Sequence, residues 1–66
     1  MYVAVNGNQI AIAAEQTLLE LLQQLKLEET HYAIAVNSEI VPRSALAKTC
    51  LNDGDRVELV QAVGGG

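Results

Sequence analysis

Apolar and polar positions alternate over two short runs at the start of the chain, Tyr2–Val5 and Gln9–Ala13. A period of two predicts strands, with Val3 and Val5 on one face of the first and Ile10 and Ile12 on one face of the second. Between them stands Asn6-Gly7, whose two residues both tolerate positive φ, so a tight hairpin is expected. The period then changes. Leu18, Leu21, Leu22 and Leu25 recur at i, i+3, i+4 and i+7, the spacing of an amphipathic helix with one apolar stripe. Thr17-Leu18-Leu19-Glu20 matches a capping box, in which hydroxyl and carboxylate satisfy each other's backbone N–H. Gln23, Gln24 and Lys26 complete the wet face, and the helix is expected to fade near Leu27 into a solvated Glu28-Glu29-Thr30 loop. A leucine stripe of this kind reads as core rather than as a groove for a partner.

Alternation returns in Tyr32–Val36, a third strand, followed by a turn at Asn37-Ser38-Glu39 and a short extended Ile40-Val41. Pro42 fixes its own φ and disfavours helix at Val41, so the chain breaks there. Ser44 to Lys48 fits one short helical turn with Ser44 as its cap. Asn52-Asp53-Gly54-Asp55 is a polar turn with Gly54 at positive φ. Turn chemistry accounts for it, and the ligand series of a cation loop is missing. Arg56–Val60 is the last strand, Val57 and Leu59 facing the core while Glu58 and Val60 face away. It runs through Gln61, Ala62 and Val63 into Gly64-Gly65-Gly66.

Length and composition narrow the possibilities. Sixty-six residues make one domain. A chain of this size buries only about 60 % of its unfolded surface, so the core is small. With 50 % apolar and 18 % charged residues the chain is globular, not disordered. Such domains, without metal or disulfide staples, more often bind or carry than catalyse. The net charge of −4 sets eight acids against Lys26, Arg43, Lys48 and Arg56, with no basic cluster to pair with phosphates, which argues against nucleic-acid binding. No long apolar span suits a membrane, and one unpaired cysteine with no signal peptide reads as cytoplasmic.

Candidate chemistry is sparse. Cys50, among Leu46, Ala47 and Leu51, is expected to be a small buried hydrophobe rather than a nucleophile. His31 stands at a loop–strand junction without ligands at metal spacing and reads as a surface residue. No catalytic group and no metal site is defensible. Three of the five glycines are the last three residues, and the reactive group at their tip is the Gly66 carboxylate. Without Cβ atoms, Gly64 and Gly65 can thread where side chains would clash, and three extended residues reach roughly 10 Å. A frayed terminus is the plainer reading of the tail alone. Direct attachment to the last strand favours the functional one. The organisation expected is thus one domain, 1–63, and a glycine tail, 64–66.

Ala33-Ile34-Ala35-Val36-Asn37, Ile40-Val41-Pro42-Arg43, Asp53-Gly54-Asp55 and Val63-Gly64-Gly65-Gly66, in that order, resemble the ThiS family, the sulfur carriers of thiamine thiazole synthesis. The likeness covers essentially the whole chain. It departs at Leu46, after the Pro-Arg pair, where the family often has an aromatic residue. The resemblance implies an α+β, ubiquitin-like β-grasp fold, a small mixed sheet with one main helix on one face, its first and last strands adjacent and parallel. It also implies that the chain is not an enzyme and binds no cofactor itself. A ThiF-like adenylyltransferase, using ATP and Mg, would join Gly66 to AMP. Sulfur originating from a cysteine desulfurase would then convert the acyl group to a thiocarboxylate, used by a ThiG-like thiazole synthase. Gly64 and Gly65 would thread into partner active sites, and Val60, Ala62 and Val63 are candidates for a docking face. The related sulfur carrier of molybdopterin synthesis, a ubiquitin-like protein modifier, and a plain interaction domain remain as alternatives.

Overall fold

A computed structural model describes residues 1–61. The expectations placed on Ala62, Val63, Gly64, Gly65 and Gly66, and the division between body and tail, lie outside the described residues.

Strand β1 (Tyr2–Val5) turns through Asn6 and Gly7, at φ of 49° and 86°, into antiparallel β2 (Asn8–Ala11). Positive φ at both turn residues matches the right-handed twist of the flanking strands. The second strand is shorter than expected, ending at Ala11. Beyond it the Ile12 N–H still donates to the Met1 carbonyl, at 2.8 Å. Ile12 is therefore held inward and buried, while Ile10 packs half-buried against the core.

Helix α1 (Leu18–Gln24) starts at the capping box: the Glu20 N–H donates to Thr17 Oγ1 at 3.1 Å, and the Thr17 N–H donates to Glu20 Oε1 at 2.8 Å. Its far end comes earlier than the pattern suggests. Lys26 takes a left-handed φ of 58°, its N–H donates to the Gln23 carbonyl, and the Leu27 N–H reaches back to the Leu22 carbonyl. These two bonds form a Schellman stop, here built on lysine instead of glycine. It turns Leu27 back onto the core, which explains why the apolar spacing outlasts the helix. The exit segment is not a plain loop, since Glu29–His31 forms a 3-10 turn.

Strands β3 (Tyr32–Val36) and β4 (Glu39–Ile40) form a second hairpin, its turn at Asn37 and Ser38 again with positive φ, 51° and 71°. A six-residue 3-10 helix, Arg43–Lys48, follows. Ser44 does not cap it: Pro42 holds the N-cap position without a side-chain bond, and the turn begins one residue before Ser44. The proline has set φ before any hydroxyl is needed. Leu46 from this turn is buried in the core, so the position where the family often carries an aromatic is filled by packing. Cys50 is a second correction. It is exposed, because Leu51 takes the inward position of the extended segment and the preceding side chain points out.

Strand β5 (Arg56–Gln61) completes a five-stranded sheet in the order β2-β1-β5-β3-β4. It lies parallel to β1 and antiparallel to β3. Inward residues of these strands, Val3, Val5, Ile34, Val57 and Leu59, meet Leu18, Leu21 and Leu22 of the helix together with Ile12, Leu46 and Leu51. All are shielded from water, and no polar or charged residue is buried among the described residues. The core is thus wholly apolar, stabilised by area removed from water rather than by internal polar bonds.

Candidate functional site

The residue that carries the expected chemistry, Gly66, and its threading segment, Gly64 and Gly65, lie outside the described residues, as do Ala62 and Val63. What the structure positions is their root. β5 sits at the centre of the sheet, and the loop before it is anchored on both sides. The Tyr2 N–H donates to Asp53 Oδ1 at 2.8 Å, and the Gly54 N–H donates to the Tyr2 carbonyl at 2.7 Å. Gly54 has φ +87°, as its turn requires. Asp55 Oδ2 accepts from the Asn52 N–H at 2.8 Å and closes the loop on itself.

Two asparagines at left-handed φ grip β5 from opposite edges. On the β3 side the Asn37 N–H donates to the Arg56 carbonyl at 2.7 Å, and the Arg56 N–H donates to Asn37 Oδ1 at 2.9 Å. On the β1 side the Asn6 N–H donates to the Val57 carbonyl at 2.9 Å. The Asn6 carboxamide then bonds both backbone groups of Leu59: Oδ1 accepts from its N–H at 2.8 Å, and Nδ2 donates to its carbonyl at 3.1 Å. Neither grip was read from the sequence, where each asparagine is sufficiently explained by its turn.

Beside this root the outer face of the sheet carries apolar residues on β5, β3 and β4, with Glu58 of β5, opposite Ala35, among them. Val60 is 65 % exposed and opposite Ala33 on β3, while Ile40, 70 % exposed, is opposite Ala35. Of the expected docking residues, Val60 is where the alternation puts it. Ala33, Ala35 and Ile40 were missed, although the same alternation that sends Ile34 inward sends the two alanines outward. His31 lies on the surface with Glu28, Nε2 to Oε2 at 3.6 Å, both side chains largely exposed. Among the described residues no three His, Cys, Asp or Glu side chains gather as metal ligands, and no pocket opens. No helix there is long and apolar enough to cross a membrane. The arrangement offers the end of a central strand at Gln61 and, beside it, a sheet face with exposed apolar residues.

Residues 3–66 match the family model of the ThiS family. The chain belongs to the ThiS family. Its relatives there include the sulfur carrier protein ThiS of Escherichia coli, 39 % identical over 66 residues that cover all of both chains. A thiazole synthase of Paramagnetospirillum magneticum is 38 % identical over the same 66 residues, and the chain spans 20 % of that protein. In three dimensions the chain resembles the crystal structure of the thiamine biosynthesis protein ThiS from Geobacter metallireducens, with a TM-score of 0.86, 33 % identity and full coverage of both chains. The fold is therefore the ubiquitin-like β-grasp of that family, and the parallel pairing of β1 with β5 that the resemblance implies is present.

Proposed function

We propose that this chain is the sulfur carrier of thiazole formation in thiamine biosynthesis, with Gly66 as the acyl group that is activated and loaded. The observation that carries this reading is the end-to-end likeness to a sulfur carrier, 66 residues covering all of both chains. The match to a segment of a thiazole synthase adds support, since a carrier-like region within such an enzyme joins donor and acceptor chemistry in one polypeptide.

Elementary chemistry sets the sequence of steps. A carboxylate is a poor electrophile because neither oxygen leaves readily. A ThiF-like adenylyltransferase using ATP and Mg lets a Gly66 oxygen attack the α-phosphorus, expelling pyrophosphate and leaving an acyl-adenylate. The terminal sulfur of a cysteine persulfide, charged by a cysteine desulfurase, attacks the acyl carbon and AMP departs. A second thiol cleaves the resulting S–S bond, and Gly66 is left as a thiocarboxylate. That sulfur is the nucleophile used by a ThiG-like thiazole synthase. The chain acts in the cytoplasm as a co-substrate, holds no cofactor of its own, and leaves catalysis to its partners.

Gly64 and Gly65 thread between enzyme backbones where a side chain would clash. Val60, opposite Ala33 on β3, together with Ala35 and Ile40 further along the same face, is the surface the partners grip, and Ala62 and Val63, outside the described residues, are candidates for the same contact. Intact-mass measurement after incubation with the activating enzyme, ATP, Mg and a sulfur source tests the reading. Exchange of one oxygen for one sulfur on Gly66 is expected. A ladder of conjugates identifies a protein modifier, an unchanged mass identifies a plain interaction domain, and either refutes it. A requirement for molybdenum cofactor instead of thiamine on deletion refutes the choice of acceptor.

A further inference from the structure

β5 is supported unequally along its two edges. On the β3 side its pairing is continuous from Val57, opposite Val36, to Gln61, opposite Tyr32. On the β1 side the pairing covers only Arg56 and Val57, because β1 ends at Val5 and the chain turns away through Gly7. Past Val57 that edge would be bare. The Asn6 carboxamide occupies the next rung, giving Leu59 the acceptor and the donor that a continuing strand would have supplied. Leu59 is two residues before Gln61, the last described, and Gly66 is seven residues beyond Leu59.

We infer that Asn6 is a positioning residue for the loading of Gly66: by completing the β1 edge at Leu59 it fixes the direction in which β5 leaves the sheet, and thus where the tail is delivered. The inference rests on the sulfur-carrier reading. Five residues follow Gln61, the last one paired to β3, and at up to about 17 Å when extended they can amplify a small change of strand direction. Misplacement of a reacting group by about 1 Å costs up to a hundredfold in rate. Asn37 supplies an internal control, since it grips the same strand with the same carboxamide chemistry at Arg56, away from the tail.

Asn6→Gly and Asn37→Gly each keep a residue at ease with positive φ and remove the side-chain bonds. Both variants are compared with the natural chain at a temperature where circular dichroism shows all three folded. The readouts are amide exchange at Leu59 and the kinetics of thiocarboxylate formation with activating enzyme, ATP and persulfide. Asn6→Gly is expected to lose exchange protection at Leu59 and about tenfold in kcat, with KM held within about twofold. Asn37→Gly is expected to keep both kcat and Leu59 protection. Equal loss of kcat in the two variants would reduce Asn6 to a purely stabilising role, and an unchanged kcat in Asn6→Gly would overturn the inference while leaving the carrier reading intact. If the natural chain itself is not loaded, both fall. Asn6→Asp is a second probe: it keeps the acceptor for the Leu59 N–H but sets a carboxylate oxygen against the Leu59 carbonyl, so its kcat is expected to fall as well.

Discussion

The apolar face beside the root of the tail can be tested by truncating Val60 and Ile40 together to alanine. Val→Ala deletes two carbons and Ile→Ala three, worth about 1.6 and 2.4 kcal/mol when fully desolvated. Only surface that is still wet in the free chain can be newly buried by a partner, and that is 65 % of Val60 and 70 % of Ile40. The discount leaves about 1 and 1.7 kcal/mol, together near 2.7, or about a hundredfold in Kd. Calorimetric titration of the double variant against a ThiG-like thiazole synthase measures it directly, with Gln9→Ala on β2 as a control on the same face but at the opposite edge of the sheet from Ile40. Stability should change by no more than about 1 kcal/mol, because both side chains are outside the core, so melting should move by less than about 8 °C. If the double variant is folded and binds within about twofold of the natural chain, the reasoning that assigns docking to this face is wrong.

Three further outcomes are expected, two from the helix geometry and one from the proposed role of the tail. Thr17→Ala removes the hydroxyl that accepts from the Glu20 N–H and should cost about 1 kcal/mol, read as a loss of about 4–8 °C in the melting midpoint. Lys26→Gly relieves a left-handed φ at the Schellman stop but frees the unfolded chain, for a net gain of about 0.5 kcal/mol in urea unfolding. Gly65→Leu should leave the melting midpoint where it is and abolish thiocarboxylate formation in the intact-mass assay; normal loading of that variant would refute threading.

Most of the fold was legible because its signals are local. Asn6-Gly7 carries its own turn conformation, and Thr17 with Glu20 carries its own cap. The helix end was not, since its stop is a lysine in a conformation usually reserved for glycine, while Leu25 and Leu27 prolong the apolar spacing for reasons of core packing. Cys50 was misplaced because Thr49-Cys50-Leu51 is too short an extended piece for alternation to show which residue faces in. Pairing of β1 with β5 joins residues some fifty positions apart, and no local pattern encodes it; the family resemblance supplied it. At the site, the outward parity of Val60 was readable, but the neighbours it meets depend on β3 and β4 lying beside β5. The pair of hydrogen bonds between the Asn6 carboxamide and Leu59 has no sequence signal at all, for it exists only once two distant strands are aligned.

The central place of β5 also governs how this domain can assemble. Each hairpin, β1–β2 and β3–β4, is made of neighbours in sequence, but only β5 joins them into one sheet. The late strand must find partners from both earlier hairpins, a loop closure on the order of fifty residues for the β1 side, which slows the search relative to local contacts. A chain that has formed both hairpins but not this last strand has no root from which to project its terminus. The outer face around Val60 and the paired end of β5 at Gln61 therefore arise in a single cooperative event, and a half-folded chain has neither.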